Sequence, residues 1–361
     1  MSRHQDRPRP GVEYPPFHAA REITSIPPSG RFLSDYEVAV CQSQSDLAAF
    51  DTGGWLVQRE SGGGIYLAGS TRLRHPDWFA YRDPSMLWQR PYVALQAEEE
   101  ATVARALATA RANGSFADFC PQWCREVLGP YYEAWACAES GVFLALSRAV
   151  REALSDTVST VLVFAATDRA RHTQDVAALS LVLTQEVPTY VEGLGPQAWA
   201  SDPALAPARR LLERLLDCPD WAEVLFVVAL LFDAAVATMY CSRFLRRFAP
   251  RHGDVLTPVI VAGAERDRER LRAGAGALAR MLFAESTPAG EPVPAAENRR
   301  VLQGWVNGWA ADVRAALHSL DPLFDIPVQR VDTAAGARAH ALRSCAAGLT
   351  ALGLEVPAPL R

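Results

Sequence analysis

The sequence predicts an all-α protein built from long helices, and two patterns in it indicate this class. From Tyr92 onward, long stretches rich in Ala, Leu, Arg and Glu follow one another, as is typical of helices. Turn residues separate several of them at 113–114, 188, 193–196, 249–253 and 288–294, and strand patterns are nearly absent. The predicted helices cover residues 92–112, 122–147, 155–187, 203–217, 219–247, 254–284, 297–320 and 333–352.

The first ninety residues are predicted to form an extended, irregular arm. Proline pairs and glycine runs interrupt its short apolar pieces. Because the segment also carries Trp55, Trp78 and Trp88, an arm that packs on a partner subunit explains it better than a free linker. The chain thus divides into an arm, a helical domain and a C-terminal extension with one helix, over residues 1–90, 91–325 and 326–361.

Composition and charge exclude several classes of function. A formal net charge of −5 argues against binding to nucleic acid, which requires a basic surface. The segment Met1–Pro10 is polar with no apolar run behind it, so we expect no secretory signal and a cytoplasmic location. The seven cysteines are odd in number and irregularly placed, which indicates reduced thiols in the core. Cys120 and Cys124 lack a second pair of ligands, so zinc is not expected.

One apolar run, Val224–Cys241, is almost long enough to cross a membrane. However, Asp233 would lie in the middle of the span, three arginines crowd one end, and no second span follows. A helix buried on all sides within a bundle is therefore the favoured interpretation, and no membrane association is expected.

Several short segments recur in the order and spacing of a known family: Leu33–Val38, His75–Pro84 followed by Tyr92 and Gln96, Ala166–Arg171, Asp220–Glu223, Asp254–Pro258 with Asp267–Arg270, and Gly304–Trp309. Together they resemble the beta subunits of toluene, phenol and alkene or propane monooxygenase hydroxylases, which belong to bacterial multicomponent di-iron monooxygenases. The resemblance spans about residues 20–325. The tail from Ile326 lies outside it.

The resemblance implies a ferritin-like bundle and a structural, non-catalytic role in an NADH-dependent monooxygenase. In this family the hydroxylase contains two alpha–beta pairs, usually with a small gamma subunit. The alpha subunit holds the di-iron centre and the substrate pocket, while reductase, ferredoxin and effector proteins act on the complex. Aromatic, alkene and alkane substrates therefore remain open, and no metal or cofactor is expected in this chain.

The histidines support the absence of metal. Ferritin-like di-iron sites use a Glu from each of two helices and a Glu-x-x-His from each of two others. That spacing puts the carboxylate and the imidazole on one helix face. None of the seven histidines in this sequence has an acidic residue three positions before it.

Two segments resemble degenerate copies of the alpha-type ligand motif Asp-Glu-x-Arg-His, namely Asp168–His172 and Asp267–Leu271. The outer aspartates and the arginines three positions later are kept; these are Asp168, Arg171, Asp267 and Arg270. Arginine replaces the metal-binding Glu at Arg169 and Arg268, whereas the two histidine positions hold His172 and Leu271. We interpret the two segments as an internal duplication, with chance in an arginine-rich helical protein as the alternative.

The other two ligand positions of the motif are assigned to Glu139 and Asp233, on the preceding helices. A hairpin at the break near residue 250 would bring Asp233 level with Arg268, whereas no such break supports the placement of Glu139. The hypothesis is that carboxylate–arginine pairs replace the carboxylate–iron contacts. The alternative is that each acid faces a helix groove and pairs elsewhere.

Two other functions remain open from the residues alone. An independent ferritin-like oxidase would bind its own metal, for which the Glu-x-x-His motifs are missing. A helical interaction protein unrelated to oxygenases would be favoured if the two Asp-Arg-x-Arg helices were not related by a pseudo-twofold axis.

Overall fold

The structure is a computed structural model that describes residues 33–41 and 68–361. The predicted all-α class is confirmed: within these residues, strand-like pairing is limited to an isolated bridge between Ser286 and Pro292. The main helices are α1 (Gln89–Ala112), α2 (121–152), α3 (Asp156–Glu186), α4 (Leu194–Ser201), α5 (Ala206–Leu216), α6 (Trp221–His252), α7 (Thr257–Leu282), α8 (Ala295–Ser319) and α9 (Ala334–Ala351).

Helices α2 and α6 depart from the regular α-helices that the sequence predicted. In α2 the segment Cys124–Tyr132, which contains Pro130, is π-helical. In α6 the π-helical segment is longer and spans Val228–Leu245. Such wide turns are rare in proteins and mostly short. A π-helical turn rotates every side chain after it around the helix axis. Hydrophobic periodicity in the sequence does not predict this rotation.

Helix α6 lies at the centre of the bundle. Asp220 caps its start by accepting hydrogen bonds from the backbone N–H groups of Ala222 and Glu223. By length and composition it is the one candidate membrane span among the described residues, but 94% of that window is buried inside the protein. The prediction of a central buried helix therefore fits its packing, since the other helices cover it on all sides.

Two helical hairpins carry the interior charges described below. Helices α2 and α3 are joined by a short turn in which Ser155 caps α3 through the N–H of Val158. Helices α6 and α7 are joined at Gly253, whose φ of +75° is readily adopted by glycine. Asp254 secures this turn by accepting hydrogen bonds from Thr257 and from the indole N–H of Trp123. The predicted break at 249–253 is thus the turn of a hairpin.

The predicted break at 193–196 contains a short helix instead. Gly193, with a φ of +83°, is followed at once by α4. The buried carboxylate of Glu133 accepts the backbone N–H groups of Gly193 and Gly195, and so satisfies the first turn of α4. Gly195 lies directly against the backbone of α2.

The described part of the N-terminal segment packs on the bundle of its own chain. Leu73 and Tyr81 belong to the main core, and the ring of Trp78 contacts that of Trp221 with a centroid distance of 5.5 Å. Asn298 of α8 exchanges two hydrogen bonds of 2.8 Å with the backbone of residue 74. The remainder of the predicted arm, residues 1–32 and 42–67, lies outside the described residues.

The C-terminal extension contributes to the core. Helix α9 packs along α6 with a row of fully buried residues at every fourth position: Ala337, Ala341, Cys345 and Leu349. The thiol of Cys345 lies 3.3 Å from the Leu230 carbonyl oxygen. All cysteines in the described part of the chain are free thiols, as the sequence predicted.

Candidate functional site

Four helices direct charged side chains toward one another in the centre of the bundle. Helix α2 supplies Glu139, α3 supplies Arg169 and His172, α6 supplies Asp233, and α7 supplies Arg268. All five side chains are buried, at 3% exposure or less. A buried charge without a partner is strongly unfavourable, so the stability of the folded state depends on how these side chains pair.

The central cluster, defined as Glu139, Arg169, Asp233 and Arg268, is cross-linked. Arg169 places Nη1 3.2 Å from Glu139 Oε2 and Nη2 2.5 Å from Asp233 Oδ2. Arg268 donates from Nη2 to Glu139 Oε1, and its Nε lies 3.8 Å from Asp233 Oδ1. Each guanidinium group therefore contacts both carboxylates, and two positive charges balance two negative ones.

The closest pairs in this cluster are crossed relative to the simplest expectation. Counting along the α6–α7 hairpin brings Asp233 level with Arg268, and the two do approach each other at 3.8 Å. The nearest cation to Asp233, however, is Arg169, and Arg268 makes its closest contact with Glu139. Counting residues gives the level of a side chain along a helix. It does not give the direction in which a long arginine extends.

Glu139 is the most heavily hydrogen-bonded member of the cluster. Besides both arginines, it accepts the indole N–H of Trp135 at 2.7 Å, and His172 Nδ1 lies 3.5 Å away. Burial alone would raise the pKa of Glu139, but the charges of Arg268 and Arg169 outweigh burial and hold that pKa well below its usual range. The carboxylate is thus charged and saturated with donors.

The outer ring, defined as Asp168, Arg171, Asp267 and Arg270, exchanges partners between the two similar motifs. Arg270 of the second motif lies 2.7 Å from Asp168 of the first. Arg171 of the first donates in return to Asp267 of the second. Two helices related by a twofold axis would produce such an exchange, and the internal duplication itself stays a prediction.

His172 and Leu271 break this symmetry. His172 Nε2 lies 3.0 Å from Asp267 Oδ2, while Leu271 is an equally buried but apolar residue. Burial alone would raise the pKa of Asp267, but the hydrogen bond from His172 and the charges of His172, Arg270 and Arg171 lower it. For Asp168, burial and the neighbouring Asp267 raise the pKa.

Further polar residues complete the outer ring, beyond the charged positions that the sequence predicted. Tyr92 and Gln96 of α1 donate to Asp168 at 2.9 and 3.1 Å. Asp175 lies 2.6 Å from Arg171, four residues earlier on α3. The i, i+4 spacing of this pair was available in the sequence. The partners on α1 were not, because they depend on how α1 packs against α3.

The residues in this interior do not fit a pair of metal ions. Glu139 and Asp233 already accept guanidinium N–H groups, and two fixed positive charges, Arg169 and Arg268, stand between the acids. Metal ions need anionic or neutral ligands, which a guanidinium cannot become. Among residues 33–41 and 68–361, no group of three or more His, Cys, Asp or Glu side chains is arranged to hold a metal.

Comparison with known proteins gives consistent matches. The family model described as Methane/Phenol/Alkene Hydroxylase matches residues 55–286. The methane monooxygenase component A beta chain of Methylosinus trichosporium is 29% identical over 306 residues, covering 83% of this chain and 76% of that one. The propane 2-monooxygenase hydroxylase component small subunit of Gordonia sp. (strain TY-5) is 26% identical over 349 residues, covering 96% and 92%. A xenon-pressurized phenol hydroxylase structure from Pseudomonas sp. OX1 shares the fold, with a TM-score of 0.73 at 17% identity over 97% of this chain and 98% of that one.

Proposed function

Because this chain belongs to the Methane/Phenol/Alkene Hydroxylase family, as a beta or small subunit of the hydroxylase component, we propose that it acts there as a non-catalytic structural subunit. One observation carries the proposal. The guanidinium groups of Arg169 and Arg268 fill the interior between Glu139 and Asp233, where a ferritin-like metal protein would need ligands.

Electrostatics supports this role. Two unit charges of the same sign that are 4 Å apart repel by about 4 kcal/mol at an effective dielectric constant of 20. A divalent ion beside either arginine would feel roughly twice that repulsion. Since the central cluster is already neutral, no metal is needed to stabilise Glu139 and Asp233.

The same contacts also link four helices of the bundle to one another. Each of the two arginines bridges acids from two different helices, so α2, α3, α6 and α7 are joined at one level of the bundle. The two motifs of the outer ring add direct links between α3 and α7. We infer that this network fixes the register of the four helices and keeps the subunit rigid without a cofactor.

We further propose the partners of this chain. An alpha subunit would carry the di-iron centre that oxidises a hydrocarbon, whether aromatic, alkene or alkane, with O2. A small gamma subunit, an effector protein and a ferredoxin with its reductase would complete an NADH-dependent system in the cytoplasm. The family membership supports this assignment, and the long apolar helix is used inside the bundle, not against lipid.

Counting metal in the assembled hydroxylase tests the proposal without dismantling it. The complex is co-expressed with its alpha subunit, and iron and manganese are measured per alpha–beta pair. If only the alpha subunit holds a di-iron centre, we expect about two metal ions per pair, since each such centre contains two. About four ions per pair would contradict the proposal, because this chain would then hold its own centre.

A further inference from the structure

An open cleft lies between the C-terminal half of α6, the middle of α7 and the C-terminal helix α9. Its volume is about 570 Å³, within the range of small-molecule sites. We call it the arginine cleft. Its basic lining comprises Arg243, Arg246 and Arg247 of α6, Arg268 and Arg272 of α7, and His340 of α9.

The lining is positive overall, although the whole chain carries a net charge of −5. Five arginines face three acids, which is an excess of two positive charges. Asp233 contacts Arg169 at 2.5 Å, and Glu265 accepts hydrogen bonds from Ser242 and Arg246. The third acid, Glu269, is exposed to solvent.

Two guanidinium groups in the cleft have a donor to spare. The Nε atoms of Arg243 and Arg272 are buried, and neither has a hydrogen-bond acceptor within the described residues. Arg272 is half-buried and forms no ion pair with any carboxylate in that same part of the chain. Buried donors in proteins are nearly always satisfied, so open ones at a cavity indicate a ligand or solvent that accepts from them.

Helix α9, which belongs to the C-terminal extension, forms one wall of the cleft. It supplies His340 and Ser344, one helical turn apart. Asp332, just before α9, accepts a hydrogen bond from Arg243 and lies 3.8 Å from Arg247 Nε, which holds the two segments together. The family model ends at residue 286, and α9 lies beyond that end.

We propose that the arginine cleft binds a small anion that carries more than one phosphate group. Guanidinium forks match phosphate oxygens in geometry and charge. Each phosphate offers more acceptor oxygens than a carboxylate, and so suits a lining that presents several guanidinium groups. The cleft is also much larger than a single phosphate, and its net charge favours a multivalent anion.

Calorimetric titration of the assembled hydroxylase with inorganic pyrophosphate tests this site. We expect one binding event per copy of this chain, weakened by added salt. Arg272→Gln should weaken binding about tenfold or more, because it removes a charge-assisted contact. Arg280→Gln, an exposed arginine two turns further along α7 and outside the lining, should leave binding unchanged.

Three outcomes would overturn the proposal: no binding of pyrophosphate at low salt, equal weakening by both substitutions, or tighter binding of citrate, a multivalent carboxylate, than of pyrophosphate. Assembly of each variant is checked by size-exclusion chromatography. If Arg272→Gln does not assemble, Arg247→Gln, whose side chain is 45% exposed, takes its place with the same expected weakening. The metal count proposed above does not depend on this result.

Discussion

Arg169 donates to Asp233 across 2.5 Å, although the two residues stand 64 positions apart in the sequence. The contact connects the two helical hairpins of the bundle, since Arg169 lies on α3 and Asp233 on α6. Both side chains are buried, so their energetics differ from those of a surface ion pair. Removing either partner would leave the other charge in a medium that solvates it poorly.

The substitution Arg169→Met tests how much this network contributes to the free energy of unfolding. The substitution removes the cation shared by Glu139 and Asp233, and leaves Asp233 with only the 3.8 Å approach of Arg268. We expect the free energy of unfolding to fall by on the order of 3–5 kcal/mol, measured by calorimetry on the assembled hydroxylase. Arg111→Met is the matched control, because Arg111 pairs with Glu186 at the surface and should cost less than about 1 kcal/mol. Similar losses for the two variants would show that the buried cluster has no special weight.

Restoring acidic ligands should create a need for metal. A triple variant carries Arg169→Glu, Arg268→Glu and Leu271→His. With Glu139, Asp233 and His172 kept, it would bring four carboxylates and two imidazoles together in the interior. We expect this triple variant to be unstable in chelator and to gain stability from Mn²⁺, by about 2.7 kcal/mol at one hundred times Kd. Differential scanning calorimetry with and without the ion gives the comparison.

A control for this experiment reverses the same number of arginines at the surface. Arg111→Glu with Arg214→Glu adds the same negative charge at two separate surface positions, and should show no stabilisation by Mn²⁺. A gain in the control equal to that of the triple variant would mean that the ion merely neutralises excess acid. No gain in the triple variant would argue against the assignment of these positions to a lost metal site.

The pH dependence of stability should carry the signature of Asp267. Its pKa is lowered on folding below the usual 3.8, so the unfolded chain binds the proton more tightly. This contribution to stability is present above about pH 4 and is lost as the pH falls through the folded pKa. Asp267→Asn should therefore flatten the fall in melting temperature between about pH 5 and pH 3.

The quantity to compare for Asp267→Asn is the slope of the melting temperature against pH, and not the melting temperature at a single pH. Asp312→Asn provides the control, because Asp312 pairs with Arg214 at the surface with 42% of its side chain exposed. An unchanged slope in Asp267→Asn would contradict the prediction.

Gly195 tests the close approach of α4 to α2. A methyl group there would lie 2.5 Å from the backbone nitrogen of Ala134, which cannot move aside cheaply. Gly195→Ala should cost about 1–3 kcal/mol through overpacking. Gly304→Ala in α8 meets no described atom within 4 Å and should instead stabilise by about 0.5–1 kcal/mol. Thermal melts of the two variants should therefore shift in opposite directions, and equal shifts would contradict this packing.

The helical framework was predictable because its signals are local. Hydrophobic patterning and breakers located every long helix to within about five residues but missed the short helix α4, and the hairpin turn near 250 followed from Pro250 and Gly253. A carboxylate in the apolar run of α6 indicated that Asp233 needs a partner. The residues that would face it were inferred from motif spacing, and the structure brings them to the same level of the bundle.

Other features depend on geometry that no local pattern encodes. The π-helical stretches in α2 and α6 change the direction in which the side chains point, and hydrophobic periodicity did not predict them. Crossed pairing in the central cluster depends on the extension of two long arginines. The contribution of α1 to the outer ring, through Tyr92 and Gln96, requires knowing which helices are neighbours.

The packing of α9 along α6 has a consequence for synthesis on the ribosome. A nascent chain that has not yet reached Ala334 leaves one side of the most apolar helix uncovered, although nearly all the other helices have already been made. Such a chain would expose an apolar surface that chaperones and other nascent chains can bind. The core of the subunit is thus closed only after this late segment has been translated, and until then the chain depends on protection of α6.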